Sequence, residues 1–70
     1  MKEVFINTET INLDKFLKWA GVISTGGEAK VAISQGSVKV NGEVETKRSR
    51  KLKVNDLVEF EGNCLIVARR

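Results

Sequence analysis

The sequence predicts an α+β domain in which two short helices pack against a small, mainly antiparallel sheet. Three observations predict it. Leu13, Phe16, Leu17 and Ala20 recur at helical spacing and share one face. A second helix start, Thr25-Gly26-Gly27-Glu28, leads into Ala29, Ala32 and Ile33. From Gly36 onward the apolar period changes to two, with Asn41-Gly42 and Gly62-Asn63 as hairpin turns. A chain of 70 residues is expected to form one domain, 1–70, around one small core.

Each element has a local reason. Lys2–Ile6 is short and apolar-rich and reads as a strand. Asn12 stands at the N-cap position, where its side chain accepts from a free N–H of the first turn. Asp14 suits the positive end of the helix dipole, and Gly21 ends the helix. Thr25 and Glu28 form a capping box for the second helix, and Gly36 stops it. Val38-Lys39-Val40 alternates as a strand and returns over Asn41-Gly42 as Glu43-Val44-Glu45. A two-residue turn puts Val44 on the face of Lys39, which predicts a bulge or a return strand that soon leaves the sheet. Leu52 and Val54 anchor the next segment, and Asn55-Asp56 is a turn. A closing hairpin over residues 57–68 then pairs Glu61 with Cys64, Phe60 with Leu65 and Val58 with Val67. The expected core is Leu13, Phe16, Leu17, Ala29, Ile33, Val38, Val40, Leu57, Val58 and Phe60.

Composition removes several classes of function. One cysteine, Cys64, allows no internal disulfide, and with no histidine a structural zinc site lacks ligands. Histidine acid–base chemistry is excluded as well. No run of about 18 apolar residues is present. The first residues lack the apolar stretch of a signal peptide, so a cytoplasmic protein is expected. The carboxylate pairs Glu43/Glu45 and Glu59/Glu61 share a strand face at i, i+2 spacing, which reads as a solvated face rather than an acid–base pair. Gly26-Gly27 has no Walker-type lysine after it. No catalytic residue, metal or cofactor is assigned.

Charge is the positive signal. Twelve basic and nine acidic residues give +3. Residues 1–35 sum to zero, so residues 36–70 carry the whole excess. Lys47, Arg48, Arg50, Lys51 and Lys53 fall within seven residues that contain no acid. Such a run attracts a polyanion through Coulomb force and counterion release. Lys15, Lys18, Lys30 and Lys39 are placed to extend it into a stripe. Aromatic residues are few, Phe5, Phe16, Trp19 and Phe60, which favours phosphate and shape recognition over rows of stacked bases. Trp19 is expected at the edge of the core, with stacking on a base or a partner as the alternative.

The helix opening Leu13-Asp14-Lys15-Phe16-Leu17, then Gly21, a second helix start near Ser24–Glu28 with Ala29, the string Gly36-Ser37-Val38-Lys39-Val40-Asn41-Gly42 and the run Val54–Val58 together resemble the S4-type RNA-binding domain. The runs Phe16–Gly21 and Thr25–Lys30 are similar to its short stand-alone bacterial subgroup, described as YaaA- or YbcJ-like. The resemblance implies the alpha-L RNA-binding motif, with a core at about 12–60. It implies a non-catalytic protein docking on structured RNA, ribosomal RNA in particular, with ribosomal proteins as further partners and no demand for more than a monomer. It places Lys15, Lys18, Lys30, Lys39 and Asn41 on or near the RNA surface, extended by Lys47, Arg48, Arg50, Lys51 and Lys53. The turn alone also explains Asn41. The rival reading is a protein-interaction adaptor in a ribosome-associated complex, with Trp19, Val22 and Ile23 as its patch.

Overall fold

The computed structural model describes residues 1–70. Its elements run β1 (Lys2–Ile6), β2 (Thr10–Asn12), α1 (Leu13–Trp19), α2 (Gly26–Ser34), β3 (Val38–Val40), β4 (Glu43–Val44), β5 (Lys51–Lys53), β6 (Leu57–Phe60) and β7 (Asn63–Arg69). Five strands form one sheet in the order β1-β7-β6-β3-β4, and β2 and β5 form a separate two-stranded ribbon. Only β1 and β7 pair in parallel; every other pairing is antiparallel. The expected α+β arrangement is therefore present, with a mixed sheet.

The two faces of the sheet follow from strand alternation. Val4, Ile6, Val38, Val40, Val58, Phe60, Leu65 and Val67 face inward and join Leu13, Phe16, Leu17, Ile23, Ala29, Ile33 and Leu52 in one buried cluster. Nine of the ten expected core residues are buried, and Leu57 is half-buried. Lys39, Glu59 and Cys64 lie opposite one another across β3, β6 and β7, on the other face.

Several local expectations are corrected. Asn12 sits at the N-cap of α1 in extended conformation, but its side chain makes no cap. The N–H groups of Leu13 and Asp14 instead donate to the carbonyls of Arg50 (2.8 Å) and Arg48 (3.2 Å). A tertiary contact has replaced the local one, satisfying donors that any helix start leaves free. At α2 the Thr25 hydroxyl accepts from the Glu28 N–H (3.1 Å) as expected. The reciprocal bond differs, because the Glu28 carboxylate lies 3.4 Å from the Thr25 hydroxyl rather than reaching its backbone N–H. Gly36 closes α2 with φ +79°, and the Gly36 and Ser37 N–H groups donate to Ile33 and Ala32 (both 3.0 Å), a Schellman cap.

The closing hairpin has the expected faces but a shifted register. Its turn is Glu61-Gly62, with φ 48° and 80°, not Gly62-Asn63. Phe60 pairs with Asn63, Glu59 with Cys64 and Val58 with Leu65. A two-residue slip preserves every side-chain face, so the apolar pattern fits both registers. The tie is broken by Val67, whose N–H donates to Asp56 (3.0 Å) while its carbonyl accepts from Asn55 (2.8 Å). Consequently Glu61 lies in a turn rather than beside Glu59 on a strand; in the other carboxylate pair Glu45 lies just past the end of β4, its N–H donating to Val38 O (3.0 Å). Val54 is exposed, so Leu52 alone anchors its segment. The return strand β4 is only two residues long, as the Val44 mismatch predicts.

Asn41 locks the first hairpin to the β5–β6 turn. Its φ is 52°, followed by Gly42 at 85°, which matches the right-handed twist of a tight hairpin. Its Nδ2 donates to Asp56 Oδ1 (3.2 Å) and its Oδ1 accepts from the Leu57 N–H (2.9 Å). Asp56 is buried, and its Oδ2 accepts from the Lys53 N–H (2.9 Å). Asn41→Ala is expected to lower stability by about 1–3 kcal/mol, through lost bonds to a buried carboxylate and a left-handed residue without a local partner. Urea denaturation measures this directly.

Candidate nucleic-acid interface

The segment between β4 and β5 is organised by one carboxylate. Glu45 accepts from the N–H groups of Thr46 (3.1 Å) and Lys47 (3.2 Å) and from Arg50 Nη1 (2.7 Å). The Arg50 N–H closes a turn onto Lys47 O (3.2 Å). Carbonyls of Arg48 and Arg50 are spent on the start of α1. The backbone of the basic run is thus fixed from both sides, while Lys47 and Arg48 remain exposed.

Arg50 differs from its neighbours. Its ion pair with Glu45 offsets part of its charge. The Arg50 guanidinium, followed by the Lys47 and Thr46 N–H groups, holds the Glu45 carboxyl below its ordinary value of 4.5. A depressed carboxylate contributes order above its unfolded pKa and loses it as pH falls through the folded one. The Thr46 and Lys47 amide shifts are therefore expected to titrate with a midpoint below 4.5, and Arg50→Ala is expected to raise that midpoint. An NMR pH series checks both.

The structure brings five of the predicted cations into two depressions, three in one and two in the other. Lys30 of α2 lines one together with Ser34, Thr46, Lys47, Arg48 and Ser49, and no apolar residue lines it. Lys15 of α1 lines the other with Lys51, Asn12 and Trp19. Lys51 Nζ donates to Asn12 Oδ1 (3.3 Å), so the residue expected to cap α1 instead steadies a cation. Lys18 lies exposed one turn beyond Lys15. Lys53 shares a face of the β2–β5 ribbon with Lys51, because both flank the buried Leu52.

Five predicted residues line neither depression: Lys18, Arg50 and Lys53, described above, and Lys39 and Asn41. Lys39 lies on the outer sheet face, opposite Glu59 and between Gly36, Glu61 and Cys64. Both ends of the Asn41 side-chain amide are occupied by the turn lock described above. Sequence reasoning missed the hydroxyls of Ser34, Thr46 and Ser49 and the organising role of Glu45. Its position two residues before the basic run was the available signal. Of the three residues expected of an adaptor patch, Trp19 is exposed, Val22 half-buried and Ile23 buried, and the last two line an open depression with Val31 and Phe60. No group of three or more His, Cys, Asp or Glu side chains is gathered as a metal would require. No helix is long and apolar enough to cross a membrane.

A family model described as "S4 domain" matches residues 4–68. The chain belongs to the S4 domain family. A Bacillus subtilis (strain 168) protein named "Probable ribosome maturation protein RlbA" is 51% identical over 59 residues, covering 84% of this chain and 83% of the relative. An Escherichia coli (strain K12) protein named "Putative RNA-binding protein YbcJ" is 39% identical over 57 residues, covering 81% of each. The solution structure of the E. coli YbcJ, described as revealing an αL motif involved in RNA binding, matches with a TM-score of 0.74 at 33% identity. That match covers 97% of this S4 chain and 87% of the other, so the fold is that of the αL motif. The 30S ribosomal protein S4e of Thermoplasma acidophilum shares the fold, with a TM-score of 0.62 at 19% identity over 83% of this chain and 31% of that one.

Proposed function

We propose that this S4-domain protein binds structured RNA, ribosomal RNA in particular, in the cytoplasm and without catalysing a reaction on it. One observation carries the reading. Lys30, Lys47 and Arg48 come from a helix and a distant loop, yet line one polar depression with three hydroxyl side chains. Cations fixed on a rigid backbone suit phosphates held at fixed spacing, as on a folded RNA. Arg48 offers a guanidinium fork, whereas the lysines act as point charges. Hydroxyls of Ser34, Thr46 and Ser49 add donors for phosphate or ribose oxygens.

The relatives support the class of ligand. YbcJ carries RNA binding in its name, and RlbA carries ribosome maturation. The test is binding of the wild-type chain to a structured ribosomal RNA fragment and to matched duplex DNA across a salt series. Tighter binding to the RNA, with a salt slope of several contacts, is expected. Equally weak binding to both polymers would overturn the proposal.

A further inference from the structure

We propose that Trp19 is a stacking platform for one unpaired base of the bound RNA, with Lys15 and Lys51 holding the phosphates that flank it. This rests on the RNA-binding reading above and adds a subsite to it. Trp19 is the only tryptophan and is 55% exposed, a large apolar surface left in water on a chain with little to spare. It is nevertheless held in place. Its indole N–H donates to the Phe5 carbonyl across 2.7 Å, which ties the ring of α1 to β1. An aromatic ring fixed before binding loses little freedom when a ligand stacks on it.

The surroundings select the ligand. Trp19 borders a cleft of about 300 Å³ whose other lining includes Asn7, Thr10, Asn12, Lys15 and Lys51. That volume lies at the small end of ligand sites, roughly 300–1,000 Å³, and so suits a single flat group. Lys15 precedes Trp19 by four residues on α1, hence by about one turn on the same side. Lys51 lines the same cleft and is steadied by Asn12. An aromatic ring in one cleft with two cations, with amide and hydroxyl groups at hand, is the chemistry that receives an unstacked nucleotide: ring on base, lysine on phosphate. An apolar protein segment would leave both ammonium groups without a partner.

The loop that carries Lys47 and Arg48 leads directly into Lys51, the first residue of β5. The paired part of an RNA on the first depression would thus continue into an unpaired residue at the second. The order of contacts predicts a preference for a helix interrupted by a bulge or loop.

Two RNAs of equal length test this, one fully paired and one with a single-nucleotide bulge. Binding is read twice, by anisotropy of a labelled RNA and by Trp19 emission. The bulged RNA is expected to change Trp19 emission on saturation and the paired RNA to leave it nearly unchanged. Trp19→Ala is expected to weaken the bulged RNA about tenfold and to spare the paired one. Its salt slope stays that of wild type, because stacking releases no counterions. Trp19→Phe keeps a ring and is expected to retain most of the preference, which separates stacking from lost folding. Anisotropy that reports binding of the bulged RNA while Trp19 emission stays constant would overturn the stacking site and leave the RNA-binding reading intact. Absence of binding to either RNA would overturn both. A preference that survives Trp19→Ala would place the bulge elsewhere and also defeat the proposal.

Discussion

Phe16→Ala is expected to lower the unfolding free energy by about 3–5 kcal/mol. Phe16 is fully buried and heads the largest enclosed side chains of the core. It lies on the buried face of α1, in the cluster that joins both helices to the sheet, so truncation leaves a cavity. A 70-residue domain has roughly 4–10 kcal/mol in total. The variant therefore loses a large share of its stability, and a substantial unfolded population is expected on modest warming. Val31→Ala provides the contrast. Val31 is on α2 but 51% exposed, and its loss is expected to change stability by less than about 0.5 kcal/mol. Urea denaturation of the two variants beside wild type measures the difference. A cost below about 1 kcal/mol for Phe16→Ala would contradict the packing described.

The second large effect concerns binding. Lys30→Ala, Lys47→Ala and Arg48→Ala together remove all the cations that line the polar depression. If each meets a phosphate, the salt slope falls by about 2–3. Near 0.1 M salt that corresponds to an affinity loss on the order of a hundredfold or more. Stability is expected to change little, since all three side chains are exposed. Lys39→Ala is the matched control, because Lys39 lies on the outer sheet face beside Glu59 and is expected to leave the slope unchanged. Arg50 is a poor choice for this experiment. Its removal frees Glu45 and disturbs the loop that carries the other cations.

Local signals made most of the fold legible in the sequence. The i, i+3, i+4 stripe of α1, the Thr25 cap of α2 and the Asn41-Gly42 turn each depend on residues within a few positions of one another. What escaped was long-range. β2 pairs Ile11 with Leu52, and three residues with one inward position carry too little pattern to announce a strand. The N–H groups of α1 found carbonyls of Arg48 and Arg50 instead of the adjacent Asn12 side chain. The hairpin register needed Val67 to choose between two solutions with identical faces.

The candidate site was legible as a composition and less so as a surface. The basic run from Lys47 to Lys53 was evident, but strand alternation and Glu45 decide which of its members are available. Lys39 belongs to a three-residue strand whose inward neighbours, Val38 and Val40, force it to the far side of the sheet. Lys30 joined Lys47 and Arg48 only through packing of α2 beside the loop. The exposure of Trp19 likewise depends on its bond to Phe5, fourteen residues earlier.

The most direct measurement is an amide chemical-shift titration of the isotope-labelled chain with a structured ribosomal RNA fragment. Saturable shifts are predicted along α1 at Lys15 and Lys18, at Lys30 and Ser34 of α2, and from Thr46 to Lys51. Shifts concentrated at Lys39, Glu59 and Cys64 on the outer sheet face, or none at all, would contradict the account.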